Sequence, residues 1–146
     1  MTRRGKRVAF LFVCGLAGCS GSSGGMPSPA AGSPPPIARD HLYVAEAHAV
    51  VVYDTQTGAI VRSIMNSAPR CIVFDAGGSL FVANDQTNSV TVYAPGGNSV
   101  ARTIATGVKT PKALAFDAAG NLYVANQPNS ISVYAPGATT PFRTIT

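Results

Sequence analysis

An all-β fold made of recurring four-stranded antiparallel units is predicted by three observations. A strand-like motif occurs three times, as LYVAE from residue 42, LFVAN from residue 80 and LYVAN from residue 122. The segments around it are four to six residues long, rich in Val, Ile, Tyr and Phe, and bounded by Gly, Pro, Asn or Asp. That is the composition of short strands in a meander. No stretch between them carries a helical period.

The elements follow in order. The first unit, residues 40–64, holds LYVAE, then VVVYD from residue 50, then IVRSI from residue 60. The second, residues 71–104, opens on CIVFDAGG and continues through LFVAN, VTVYAPG from residue 90 and ARTI from residue 101. The third, residues 113–145, repeats the pattern as ALAFDAAG, LYVAN, ISVYAPG and FRTI. The opening strand is missing from unit one, so about eleven strands are expected. Alternation is clear in ISVY, where Ile131 and Val133 share one face and Ser132 and Tyr134 the other. Four short strands recurring at spacings of 38 and 42 residues are the signature of β-propeller blades, which must stack to bury their faces. The expectation is a partial β-propeller of about three blades over residues 37–146. Propellers close with about four to eight blades. Three arrangements therefore stay open: a piece of a longer propeller, copies of the chain assembling into a ring, or a lone arc of three blades.

The segment before the repeats reads as an address. The formal net charge is +5, but Arg3, Arg4, Lys6 and Arg7 supply four of the eleven basic residues. The rest of the chain is nearly neutral, and its Lys and Arg are scattered singly. No nucleic-acid partner is expected, because such a partner needs cations gathered on one face to displace counterions. Residues 8–18, VAFLFVCGLAG, are apolar but shorter than the roughly 20 residues of a membrane span, so residues 1–18 read as a signal peptide. LAGC, Leu16 to Cys19, resembles the lipobox of bacterial lipoproteins. The resemblance implies cleavage before Cys19, a diacylglyceryl group on its thiol and a further acyl chain on the new amino terminus, with the membrane as partner. Each buried methylene contributes about 0.8 kcal/mol, and two or more chains anchor stably. Ser20 after the cysteine implies, in enteric-type bacteria, sorting to the outer membrane. The expected location is thus the bacterial cell envelope. Residues 20–36, SGSSGGMPSPAAGSPPP, cannot bury enough apolar surface to order, and form with Cys19 a disordered linker, residues 19–36, with a reach of roughly 23 Å. With Cys14 lost and Cys19 acylated, Cys71 has no disulfide partner and reads as a small buried hydrophobe.

The repeats also resemble a family. LFVANDQTNSVTVYAPGG, residues 80–97, is similar to the NHL repeat, in which a strand of the type L-Y-V-A-D precedes a loop containing Asn and a strand ending near an aromatic residue. Asn88 and Asn129 stand in the place of that loop Asn, and Asn84 and Asn126 replace the usual Asp. Unit one departs, with Glu46 and no loop Asn. The resemblance implies a scaffold that hosts lactonases, lyases and pure binding modules alike, and so does not by itself imply a chemistry.

The candidate chemistry is sparse. Asp75 and Asp117 recur in FDAGG and FDAAG, where a carboxylate holds a hairpin turn, and Asp54 in YDTQTG reads the same way. In an up-and-down blade, the loops after the second and fourth strands emerge on one face. They bring Glu46, His48, Asn84, Asp85, Asn126 and Gln127 together, with Asn66, Arg70, Lys109 and Lys112, as a candidate ligand-binding face. The linker enters at the opposite face, so this one is expected to point away from the membrane. Both histidines, His41 and His48, lie in unit one, and no pair with metal-ligand spacing recurs. There is no serine nucleophile motif, no phosphate loop and no Trp, so no catalytic residue, metal or cofactor is expected. The function expected is non-enzymatic binding or scaffolding of a protein or small molecule at the loop face, with self-association to close the ring. The alternative is a fragment or subunit of a propeller-type lactonase or lyase.

Overall fold

The computed structural model describes residues 41–146. The signal peptide, Cys19 and the linker lie outside the described residues. Eleven strands follow one another: β1 His41–Ala45, β2 Ala49–Asp54, β3 Ile60–Met65, β4 Pro69–Phe74, β5 Leu80–Asn84, β6 Ser89–Tyr93, β7 Val100–Ile104, β8 Pro111–Phe116, β9 Leu122–Asn126, β10 Ser130–Tyr134 and β11 Arg143–Ile145. They form three antiparallel meanders, β1-β2-β3, β4-β5-β6-β7 and β8-β9-β10-β11, called sheets 1, 2 and 3 below. Among the described residues, sheet 1 has three strands, as the missing opening motif predicts.

The turns are set by their carboxylates. Asp75 Oδ1 accepts from the Ser79 amide at 2.8 Å, and Gly78 takes the left-handed conformation (φ +82°) that this tight reversal needs. Asp117 does the same work with more bonds: its oxygens accept from the Asn121 side chain and amide, both at 2.8 Å, from the Ala119 amide at 3.0 Å and from the Tyr123 hydroxyl at 3.2 Å. These donors, the Asn121 side chain foremost, hold the Asp117 carboxyl below its ordinary pKa. Its contribution to stability is therefore present above the usual carboxylate range and is lost on strong acidification. Asp54 Oδ1 accepts from the Gln56 and Thr57 amides at 3.0 and 2.9 Å.

Sheet 2 is covered on both faces, and the alternation of its strands decides which residues go where. Leu80, Val82 and Tyr93 face sheet 1 and pack with Val50 and Ile64. Phe81, Ala83, Val90, Val92 and Ile104 face sheet 3 and pack with Leu114, Leu122, Val124 and Tyr134. Cys71 joins this second cluster, 6% exposed. The core is thus two seams, one on each side of sheet 2, and β4 and β8 approach each other across the second. Each fully buried Val or Ile contributes roughly 1.5–3 kcal/mol through removal of apolar surface from water.

Tyrosine marks both seams. Tyr93, 2% exposed, accepts at its hydroxyl from Asn66 Nδ2 of the β3–β4 loop at 2.9 Å. Tyr134, fully buried, donates to the Thr106 carbonyl of the β7–β8 loop at 2.7 Å. Burial raises the pKa of both hydroxyls. The folded state favours the neutral phenol, so this stability is complete below the unfolded pKa of about 10 and is lost as pH rises beyond it. Melting temperature should hold steady up to about pH 10 and fall above it, with a shallower alkaline decline in Tyr134→Phe. Calorimetry across pH checks this.

Candidate functional site

The candidate face expected from sequence is the end of the sheets that carries the β1–β2, β5–β6 and β9–β10 loops and the β3–β4 and β7–β8 connections. Its residues have separate fates. Glu46 lies just after β1 and accepts from the Tyr53 hydroxyl at 3.0 Å. This hydrogen bond to a carboxylate raises the Tyr53 pKa. His48 is exposed, and its carbonyl accepts from the Asn66 amide at 3.0 Å. Gln127 is exposed, and its amide donates to the Lys109 carbonyl at 3.1 Å.

Asn84 and Asn126 do not present themselves to a ligand. They are the last residues of β5 and β9, 2% and 7% exposed. Asn126 Oδ1 accepts from the Lys109 amide at 2.9 Å, and its Nδ2 donates to the Gly107 carbonyl at 3.1 Å and to Ser132 Oγ at 3.0 Å. The β7–β8 loop is thereby fastened to sheet 3. Gly107 has φ +77°, and a Cβ there would come within 2.8 Å of Pro141 Cγ, so no other residue fits. Asn84 donates to Thr91 Oγ1 at 2.8 Å and to the Val82 carbonyl at 3.3 Å, while its Oδ1 is buried without a partner. Loop length explains the difference. Three residues, 66–68, join β3 to β4, whereas six, 105–110, join β7 to β8. Only the longer loop carries an amide back onto the asparagine.

Asp85, next along the chain, forms an ionic cluster on this face. Its Oδ2 lies 3.5 Å from Arg70 Nε and 3.6 Å from Lys112 Nζ. Arg70 and Lys112 occupy the same position in their repeats. Each sits between the register-matched pairs where β4 shifts against β5 and β8 against β9. A bulge adds one residue and re-aims its side chain, and here it turns both cations toward the same carboxylate. The cluster ties β4 to β8 and leaves one positive charge in excess. With Arg70 and Lys112 partly solvent-exposed, each pair contributes at most about 1 kcal/mol. Asn88, at φ +49°, adds a neutral link: its Oδ1 accepts from the Thr110 amide of the next connection at 2.6 Å. Among the described residues, no three His, Cys, Asp or Glu side chains come together as metal ligands.

The concave features lie at the opposite end of the sheets, where sequence reasoning did not look. A cleft of about 690 Å³ opens between sheets 1 and 2, lined by His41, Tyr43, Arg62, Phe74 and Pro95, and one of about 260 Å³ opens between sheets 2 and 3, lined by Phe81, Arg102, Phe116, Tyr134 and Pro136. The two are built alike. Tyr43 and Phe74 meet edge to face at 4.8 Å, and Phe81 and Phe116 at 5.0 Å. The Arg62 guanidinium lies 5.8 Å from the Tyr43 ring centre and that of Arg102 lies 5.6 Å from the Phe81 ring centre, a favourable cation–π placement. Arg62 also donates to the Tyr43 hydroxyl at 3.0 Å and to the Gly96 carbonyl of sheet 2. The signal was present in the sequence as the recurring Arg of VRSI, ARTI and FRTI.

No family model matches the chain, and no curated protein matches it. Solved structures do. Hydrazine synthase of Kuenenia stuttgartiensis matches at a TM-score of 0.59 with 23% identity, over 66% of this chain and 29% of that one. A chain of the mitotic checkpoint complex matches at a TM-score of 0.61 with 14% identity, over 73% of this chain and 33% of that one. The chain thus spans about a third or less of the length of these neighbours. At such identities the likeness is one of fold: the chain has an all-β, β-propeller-like repeat architecture.

Proposed function

We propose that the chain is a lipoprotein of the bacterial cell envelope, anchored through an acylated Cys19, whose NHL-like propeller repeats form a non-enzymatic binding or scaffolding module. The observation that carries this reading is the use made of the polar residues. Asn126, Asn88 and Asp85, which a catalytic propeller would aim at substrate, are spent on joining connections and neighbouring sheets. The position of His41 supports the orientation. It opens β1 at the cleft end of the sheets, so a tether arriving there leaves the Glu46, His48 and Asp85 loops at the far end, toward the compartment outside the membrane.

Feeding the producing cells a clickable fatty-acid analogue tests the anchor. The wild-type chain takes up label and partitions with membranes, and Cys19→Ala abolishes both. Labelling that survives the substitution refutes the anchor, while hydrolysis of lactones by the purified protein would refute the non-enzymatic reading.

A further inference from the structure

The two ends of the sheet stack carry the two halves of a seam that the protein already builds twice. On sheet 2, the half turned toward sheet 3 is Phe81, Arg102 and Ile104; the residues in the same register on sheet 3 are Tyr123, Arg143 and Ile145. The receiving half on sheet 3 is Leu122, Tyr134 and Ala135, lining the second cleft. Its counterparts on sheet 1 are Leu42, Tyr53 and Asp54, and these line a recess of about 320 Å³. Among the described residues, nothing covers either half. Ile64 and Ile104 are each 1% exposed, but Ile145 at the matching position is 37% exposed. Val50 and Val90 are completely buried, but Ile131 is 36% exposed.

We propose that a second copy of this chain covers both ends at once, with the Tyr123–Arg143 face of each copy seated on the Leu42–Asp54 face of the other. The occupant must supply the complement of two different surfaces, and this chain carries both. Two copies related by a twofold axis use each surface twice and leave none open, which makes a closed head-to-tail ring. Six sheets fall within the range of about four to eight in which propellers close. Charge agrees with this seating. Asp54 stands where the receiving turns of sheets 2 and 3 have Ala94 and Ala135, so an arriving Arg143 meets a carboxylate as well as backbone carbonyls. Sheet 1 offers no counterpart of Phe74 or Phe116 among the described residues, so the intermolecular seam is weaker than the internal ones and assembly depends on concentration. The inference stands on the seams and not on the lipid anchor.

The full-length chain carrying Cys19→Ala, to keep acyl chains out of the measurement, tests it by sedimentation equilibrium over a dilution series. The expected result is twice the chain mass at high concentration, falling to the single-chain mass on dilution. Arg143→Glu and Ile145→Asp should each weaken the dimer at least about tenfold while leaving the far-ultraviolet circular dichroism unchanged. Should one of them fail to fold, the other and the dilution series still decide. A single-chain mass up to the solubility limit overturns the proposal. So does a dimer indifferent to both substitutions, or a series of ever larger oligomers that shows the ring does not close.

Discussion

Ile104→Ala should lower the stability of the folded body by about 2–5 kcal/mol, whereas Ile145→Ala, at the same position one repeat later, should change it by less than about 0.5 kcal/mol in the dissociated chain. The two residues share a sequence context, RTI, and pair with the register-equivalent residues Val90 and Ile131. What separates them is cover. Ile104 packs with Phe81, Val90, Leu114 and Tyr134 in the seam between sheets 2 and 3, so truncation leaves a cavity whose walls belong to two sheets and cannot collapse together. Ile145 faces solvent, and its truncation loses little. Urea denaturation at concentrations where the single-chain mass holds checks both values. Equal losses at the two positions would mean that the seam is not where the stability resides.

The other large effect belongs to Asn126. Asn126→Ala should cost about 2 kcal/mol, because it leaves the part-buried Lys109 amide without its acceptor and the buried Ser132 Oγ without the donor it accepts from. The Gly107 carbonyl keeps the Ser132 hydroxyl, at 2.6 Å. Asn84→Ala, the matched change in sheet 2, should cost only about 1 kcal/mol, since it breaks the bond to Thr91 but also removes an acceptor that was buried and unsatisfied. Thermal melts rank the pair. Hydrogen exchange supplies the local readout: the Lys109 amide should exchange faster in Asn126→Ala and stay as it was in Asn84→Ala.

The fold was legible in the sequence because strand and turn signals agreed in every unit. ISVY carries a period of two, and FDAGG and FDAAG name the turn before LFVAN and LYVAN. The first strand that unit one lacks in sequence is also the strand sheet 1 lacks among the described residues. The roles of single polar residues were less legible. Asn84 and Asn126 read as equivalents, and only the length of the preceding connection, invisible to a motif, gives one three bonds and leaves an oxygen of the other orphaned. The clefts escaped for a related reason. Arg62 reaches a carbonyl 34 residues away, so its purpose lies between units while a repeat alignment works within them. In a count of charges Arg62, Arg102 and Arg143 look scattered; in the register of β3, β7 and β11 they are one position repeated.

The plan of the seams also governs how the chain tolerates growth. Pro69 and Pro111 open their strands in the same way, 42 residues apart, and everything from one to the next is a cassette with a donor surface on one side and an acceptor surface on the other. Splicing in a second cassette requires no new recognition at either junction. Length in such an architecture is a tunable quantity, and the energetic return on each added cassette is one more copy of an interface that the molecule already builds twice.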